Sequence, residues 1–473
     1  MESRKPRAAE LPLQKYVEEA DRRQPATQAS EFSPVRTTVA EDTTIAELCQ
    51  SFPKHLLRRI QPVLKVGHGD ADDKLKAQMG SVSACFEPGE LLVVSDFDEN
   101  IVGGHHAIDV LARLPKSHYN STAFKKWASY ENMQALGGDK TKFDGKVDGW
   151  AIDKYKFMPA VDVAWEKMPE KEFYVFYETD TYIFWDSMFR LLATLDPDDK
   201  IYMGSPTPGH PDAKRLDQTT FFANGGPGYV ISRGAMRAMM NEEATVKAGS
   251  FAVRWSDGIH DGECCGDQVL GSALWSLGVQ VHGRWPMFQP FHTDELIYDD
   301  ESWCMPIVSM HKVPPNEMLD MFRLEFAKRE VDRPLVYGDV WSFFKPGSIA
   351  IRHDWNSATH NTRDEYDPPK PPRRGSPLIT NFEECGNACA RDSRCLQWKW
   401  LGGDAEGANR CILASSLQAG KAAQPIREIK EGNETGKITT YTSGWLVERS
   451  REWREKRTCK DVRWLGSSVS RRL

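Results

Sequence analysis

The sequence predicts an α/β fold that gives way to a small disulfide-rich module. Three observations carry this reading. Between about residues 55 and 330, short apolar, β-branched or aromatic runs alternate with segments of helical periodicity. Ten cysteines are present, and four of them crowd between Cys385 and Cys411. A stretch with five prolines, "DEYDPPKPPRRGSPL", separates the two regions and reads as a stiff linker. At 473 residues the chain exceeds the usual single-domain size, so one large domain plus a smaller unit is expected.

Residues 1–45 are charged and poor in aromatics, which predicts a flexible stem unable to repay the entropy of ordering. The main domain is expected over 46–335. Its first pieces, "HLLRRIQPVLKVG" and "ELLVVSDFD", read as buried strands, with "DADDKLKAQMGSV" between them as a helix. "DKYKFMPAVDVAWEKM" puts Phe157, Val161 and Trp165 at helical spacing, and the strand "FYVFY" follows. This alternation implies a parallel sheet. Trp185, Met188, Phe189, Leu192 and Leu195 then share one helical face, stopped by "DPDD". Residues 336–375 are expected to connect, and 376–473 to form the cysteine-rich module and tail. There are no internal repeats.

The net charge of −7, from nearly balanced Lys/Arg and Asp/Glu, gives no electrostatic case for a nucleic-acid surface. The cysteine content without any C-x-x-C pair favours an oxidising compartment, and the sequons at Asn120 and Asn433 agree with it. Against this, "MESRKPRAAELPLQKYVEEADRR" has no apolar core of signal-peptide length, and no run reaches the roughly 18 apolar residues that span a bilayer. The expectation is a soluble chain whose anchor lies upstream of this start, unless the start is misassigned or the cysteines mislead.

Chemistry concentrates at four places. Glu178-Thr179-Asp180 ends the "FYVFY" strand, where ligands sit in open α/β sheets, and alternate acids there can present oxygens to a hard divalent cation. A solvated turn or helix cap is the bland alternative. "FFANGGPGYVIS" sets Asn224, Gly225, Gly226 and Gly228 before an apolar segment, as a tight turn or a close approach to a ligand requires. In "ECCGDQVLGSALWSLG" a helix is expected from Val269, with Leu270, Ala273, Leu274 and Leu277 inward and Gly278 at its end. Asp267 just before it is a cap, a general base, or both. His311 closes a short strand in "WCMPIVSMHK" and reads as a structural residue or a metal ligand.

In order, the motifs "LKVG", "LLVVSDFDENI", "GWAIDKYKF", "YVFYETDTYIFWD", "YMGSP", "FANGGPGYVIS", "CCGDQVLG" and "WCMPIVSMHK" resemble the fringe and core 1 β-1,3-galactosyltransferase-like glycosyltransferases of family 31, especially fungal-type members. The resemblance spans roughly residues 55 to 330. It implies a GT-A (Rossmann-like) fold, a nucleotide-sugar donor, most readily a UDP-sugar, and inverting transfer of galactose or a related hexose to a glycan or glycoprotein acceptor, with β-1,3 linkage. It also implies a Golgi location behind a type II membrane anchor absent from this sequence.

Residue by residue, Asp180 matches the family's metal-binding acid, while Glu178 and Thr179 stand where relatives carry further acids. His311 matches the histidine that completes the metal site, for which Mn²⁺, with Mg²⁺ as the alternative, suits the donor set. Asp267 matches the second of two paired acids and Gly271 the motif's glycine. Gly266 replaces the first acid, which leaves Asp267 as the local candidate base. Lys65, Gly67, Ser95 and Asp96 sit where relatives meet the nucleotide, with Gly225 and Gly226 also placed at the donor. Asp153 and Lys154 match as well, the lysine either touching phosphate or pairing on a helix face. "CGNACARDSRCLQW" through "RCILASS" resembles a PAN/Apple-type module that would take a protein or glycan ligand. Disulfides are expected there, zinc being the competing reading of four clustered cysteines. Because the first acid is missing, a carbohydrate-binding or adhesive protein that keeps the fold without turnover is the alternative.

Overall fold

The computed structural model describes residues 39–40, 42–212, 215–259, 264–344, 350–357, 365–368, 379–430 and 433–469. The expected stem up to residue 38 and most of the proline-rich linker lie outside the described residues. The chain divides into two compact units: one of residues 1–290, 307–334 and 464–473, and a second of 291–306 and 335–463. This differs from the single boundary expected near 335. The second unit takes in 291–306 as well, and the end of the chain returns to the first.

The first unit is built on an eight-stranded mixed sheet in the order β11-β7-β10-β5-β1-β2-β4-β3. These strands are β1 (Ile60–Lys65), β2 (Leu92–Ser95), β3 (Glu99–Asn100), β4 (His106–Asp109), β5 (Phe173–Glu178), β7 (Tyr202–Gly204), β10 (Tyr229–Ser232) and β11 (Val281–Gly283). A three-stranded sheet joins β6 (Tyr182–Ile183), β12 (Phe288–Gln289) and β13 (Ser309–Met310), and β8 (Pro206–Asp212) pairs with β9 (Arg215–Ala223). The helices used below are α1 (Asp72–Met79), α2 (Gly149–Asp153), α3 (Phe157–Lys167), α4 (Trp185–Leu192), α5 (Gly266–Ser276) and α6 (Pro315–Lys328).

The central strands read as nearly continuous apolar runs because both faces are covered. In β5 every residue from Phe173 to Tyr177 is buried, and β1 is buried throughout. Their parallel register sets Lys65 beside Glu178, so the last residues of two neighbouring strands emerge together. β10, by contrast, runs antiparallel to both β5 and β7, which corrects the expected all-parallel sheet. An apolar run carries no strand direction, and the tight Gly-rich entry to β10 reverses the chain without a crossover. Gly228 makes that reversal with φ +78°, and a Cβ there would stand 2.7 Å from the Phe176 carbonyl oxygen.

Two further expectations shift. The first half of "HLLRRIQPVLKVG" is a 3₁₀ turn over Lys54–Arg58 behind Pro53, and the strand begins at Ile60. In "DKYKFMPAVDVAWEKM" Asp153 closes α2, and α3 begins only at Phe157 and runs to Lys167. The core unites Val63 and Val94 of the sheet, Tyr174 and Phe176 of β5, Met158 and Val161 of α3, and Leu270 and Leu274 of α5. Burying each such side chain contributes roughly 1.5–3 kcal/mol.

In the second unit, β14 (Ile351–His353), β16 (Glu365–Tyr366), β17 (Gln397–Gly403), β18 (Arg410–Ala414), β20 (Ile426–Lys430) and β21 (Asn433–Trp445) form an antiparallel sheet, and β15 (Trp355–Asn356) pairs with β19 (Lys421–Ala422). Helix α7 (Phe382–Arg391) is capped by Asn381, whose side chain accepts from the Glu384 amide at 2.8 Å. Disulfides Cys385–Cys411 and Cys389–Cys395 close around Trp398 and Trp400, so the clustered cysteines are paired with one another rather than arranged around zinc. Cys304–Cys459 ties the two segments of this unit, and Cys49–Cys85 and Cys264–Cys265 account for the remaining cysteines.

Candidate active site

The turn after β5 is fixed before any ligand is considered. Thr181 caps it by accepting the Glu178 amide at 3.1 Å and donating to the Gly226 carbonyl at 2.6 Å, which docks the Gly-rich loop onto the acidic turn. The small sheet brings in the histidine. β13 pairs antiparallel with β6, Met310 opposite Tyr182, the Val313 amide donates to the Asp180 carbonyl at 3.0 Å, and the His311 amide donates to the Gln289 carbonyl at 3.0 Å. Asp180 and His311, 131 positions apart in sequence, thereby meet with Oδ1 and Nε2 at 3.4 Å.

Glu178, Asp180 and His311 each offer a ligand atom within 4.8 Å of the others, and all three are partly exposed. Burial pushes the Asp180 carboxyl up, but His311 and then Lys74, 3.5 Å from Oδ2, outweigh it and hold it below its usual value. Two carboxylates and an imidazole suit a divalent cation such as Mn²⁺ or Mg²⁺, and the separation is that of side chains able to share one ion. Gly226 gives the imidazole its room: a Cβ there would lie 2.2 Å from His311 Cε1.

Lys65 joins this group to the sheet. Its ammonium lies 2.6 Å from both oxygens of Asp153, 2.9 Å from Glu178 Oε1 and 4.2 Å above the centre of the Phe157 ring. Burial pushes Lys65 down, but Asp153 and Glu178 outweigh it and its pKa is raised. Asp153 also receives Lys156 at 3.2 Å, and the two ammoniums hold its carboxyl well below the usual range against the effect of burial. Lys156, buried, donates in addition to Asp96 and to the Val66 carbonyl, both at 3.0 Å.

The sequence-predicted nucleotide residues divide. Gly67 and Thr179 line a cavity of about 200 Å³ together with Val66, His68, Asp70, Asp72 and Lys140. Asp96 is fully buried, its oxygens accepting from the His68 amide at 2.7 Å and from Lys156. Ser95 is buried at the end of β2, its hydroxyl facing the Phe97 amide at 3.4 Å. Lys154 is buried with its ammonium 5.2 Å from the centre of the Tyr155 ring. Asp70 and Lys74 were not singled out by the sequence. Asp70 bridges the Gly67 amide at 3.1 Å and the Thr179 hydroxyl at 3.2 Å, a role its place three residues past the strand-ending glycine could have signalled.

Asp267 lies inside the first turn of α5, not before it. The helix starts at Gly266 with Cys265 as its N-cap, a residue that gives no capping signal in sequence. The Asp267 carboxylate accepts the Gly225 amide at 2.8 Å and the Gln268 amide at 2.9 Å. Burial pushes it up to about 6, with the Glu178 charge adding to the rise and the two amides and Lys65 opposing it. Gly225 is in turn confined by Phe157, whose Cζ lies 2.8 Å from where its Cβ would be.

Position 266, where the resemblance leads one to expect an acid, has no room for a side chain. A Cβ there would fall 2.4 Å from both the Lys154 carbonyl oxygen and Phe157 Cδ2. Gly271 is likewise a packing position, with its Cβ site 2.2 Å from Phe222 Cβ in β9.

A family model described as Fringe-like matches residues 153–289. The match takes in Asp153, Lys154, Glu178, Thr179, Asp180, Gly225, Gly226 and Asp267, and it supports the fringe-like glycosyltransferase family and hence a transferase. No curated protein matches the chain. No helix among the described residues is long and apolar enough to cross a membrane.

Proposed function

We propose that this protein is an inverting, divalent-metal-dependent glycosyltransferase that moves galactose or a related hexose from a UDP-sugar to a hydroxyl of a glycan acceptor, with β-1,3 linkage. The observation that carries the reading is the convergence of Glu178, Asp180 and His311 within 4.8 Å at the carboxyl end of a central strand, inside or beside the Fringe-like region. Glu178, Asp180 and His311 would hold the cation, Mn²⁺ or Mg²⁺, which would supply positive charge to offset that building on the departing diphosphate.

Asp267 acts as the base. Its carboxylate accepts the proton of the acceptor hydroxyl as that oxygen bonds to the anomeric carbon and the bond to the diphosphate oxygen breaks on the opposite face, through an oxocarbenium-like transition state. A carboxyl at about 6 is ionised at neutral pH and still basic enough to take the proton. Lys65 keeps Glu178 turned toward the cation site. Gly67 and Thr179, in the 200 Å³ cavity, and the backbone of Gly225 and Gly226 are the proposed donor contacts, and Ser95, Asp96 and Lys154 stand behind them as framework.

Turnover of UDP-galactose in the presence of Mn²⁺, measured for wild type, Asp180→Ala and Asp267→Asn, tests this. Wild-type release of UDP that both variants lose supports it; a wild type that neither hydrolyses nor transfers from any nucleotide sugar removes it. In that event the reading favoured by Gly266 is a carbohydrate-binding protein with the fold but no turnover. Pairing of all ten cysteines supports a lumenal, Golgi location. The helix-on-sheet second unit supports a PAN/Apple-type module with a protein or glycan ligand.

A further inference from the structure

Trp150 has no part in the chemistry above, yet it is 66% exposed, and among the described residues no other tryptophan is exposed. Burying an indole is worth roughly 1.5–3 kcal/mol, so holding one in water on a fixed backbone needs a reason. The backbone is fixed: Asp148 caps α2 by accepting the Ala151 amide at 3.1 Å, the Asp148 amide donates to Ser129 Oγ at 3.2 Å, and Ala151 and Ile152 are buried.

The same helix runs into the site. Asp153 lies three residues on, so its side chain and the indole are neighbours on one helix face. Asp153 is the residue that grips Lys65, which grips Glu178, and the Lys154 carbonyl abuts the Gly266 position where the helix of Asp267 begins. Three residues of helix, a backbone rise of about 4.5 Å, therefore separate the exposed Trp150 from Asp153 of the ion pairs behind the cation site. The Lys126 ammonium stands over the indole, 4.9 Å from its centre, and with the residue 66% exposed much of the ring is still open to solvent.

We propose that Trp150 is a stacking platform for a pyranose ring of the acceptor, with Lys126 donating to its hydroxyls. A pyranose presents a patch of C–H groups on one face and hydroxyls at its rim, which fits an indole with an adjacent ammonium. This rests on the glycosyltransferase reading for calling the sugar an acceptor, but not for the binding itself.

The full chain, loaded with UDP and Mn²⁺, is tested by saturation-transfer NMR against methyl glycosides of galactose, glucose and N-acetylgalactosamine. At least one glycoside should receive saturation through its C–H face, with affinity about tenfold weaker in Trp150→Ala and mostly retained in Trp150→Phe. UDP-galactose hydrolysis is followed on the same samples and should be equal in all three. The proposal is overturned if no glycoside shows transfer, if Trp150→Ala binds as wild type does, or if hydrolysis falls with binding, which would place the donor on the ring instead. Glycoside binding through Trp150 in a protein that hydrolyses no nucleotide sugar would uphold the platform and defeat the transferase reading.

Discussion

Two sets of charged side chains stand side by side at the carboxyl ends of β1, β2 and β5, and they are built to opposite rules. Asp96, Lys156 and Lys65 form a closed, buried set, joined through the partly exposed Asp153: Asp96 is fully buried and its oxygens are taken by the His68 amide and Lys156. Glu178, Asp180 and His311 form an open set, partly exposed, with the Asp180 carboxylate held, among the described residues, by a 3.4 Å contact to His311 and a 3.5 Å contact to Lys74. Charges that are satisfied by fixed donors lend their field and rigidity to a site. Charges left loosely paired at an opening are the ones with coordination to give. Lys65 belongs to both sets and transmits the order of the first to the second.

Breaking the open set should cost activity without stability. Asp180→Ala is expected to lower UDP-sugar turnover by about 10³-fold or more while the midpoint of thermal unfolding stays near wild type, as steady-state kinetics and calorimetry would register. Asp267→Asn should lower kcat by about 10²–10⁴-fold with Mn²⁺-dependent UDP binding retained, which isothermal titration would separate from a binding defect. With Asp267 as the proposed base, kcat should fall as pH drops through about 6 and the carboxylate takes up a proton. Because its folded pKa is raised, this carboxyl favours folding below the pKa of the unfolded chain and loses that contribution as pH rises through about 6.

Breaking the closed set should do the reverse. Lys156→Met leaves Asp96 buried and unpaired, for an expected loss of roughly 3–5 kcal/mol in denaturant unfolding. The contrast sharpens at the glycines. Gly226→Ala drives a methyl into the His311 ring and should weaken Mn²⁺ binding, read by titration, with a smaller loss of stability. Gly266→Asp should destabilise by about 1–3 kcal/mol and fail to raise activity, since its Cβ already collides with Lys154 and Phe157. An active, stable Gly266→Asp enzyme would remove the steric account of the missing acid.

Much of the open set was legible in the residues. Five buried positions followed by Glu178 and Asp180 announce a covered strand ending in acids, and the helix from Trp185 follows from its spacing. His311 was legible through the family motif, because nothing local to "SMH" tells that β13 pairs with β6. The closed set was legible only in part: Lys65, Asp96 and Asp153 were singled out through the family motifs, but as donor-side positions, and Lys156, which pairs with Asp96 from 60 positions away, was not singled out. The direction of β10 and the start of α5 also escaped, the first because pairing sense is not a local property, the second because Cys265 caps without a capping side chain. The pocket residue Asp70 was hidden in a loop whose fold depends on Thr179, more than 100 positions away.

With a carbonyl and an aromatic edge already occupying the volume where a longer residue's first carbon would go, position 266 takes no side chain without a rearrangement around it. Phe157 would have to move first, and Phe157 also walls Gly225 and lies under Lys65, so one ring couples the helix entrance, the glycine loop and the strand end. A substitution at this one backbone position would therefore be felt at all three.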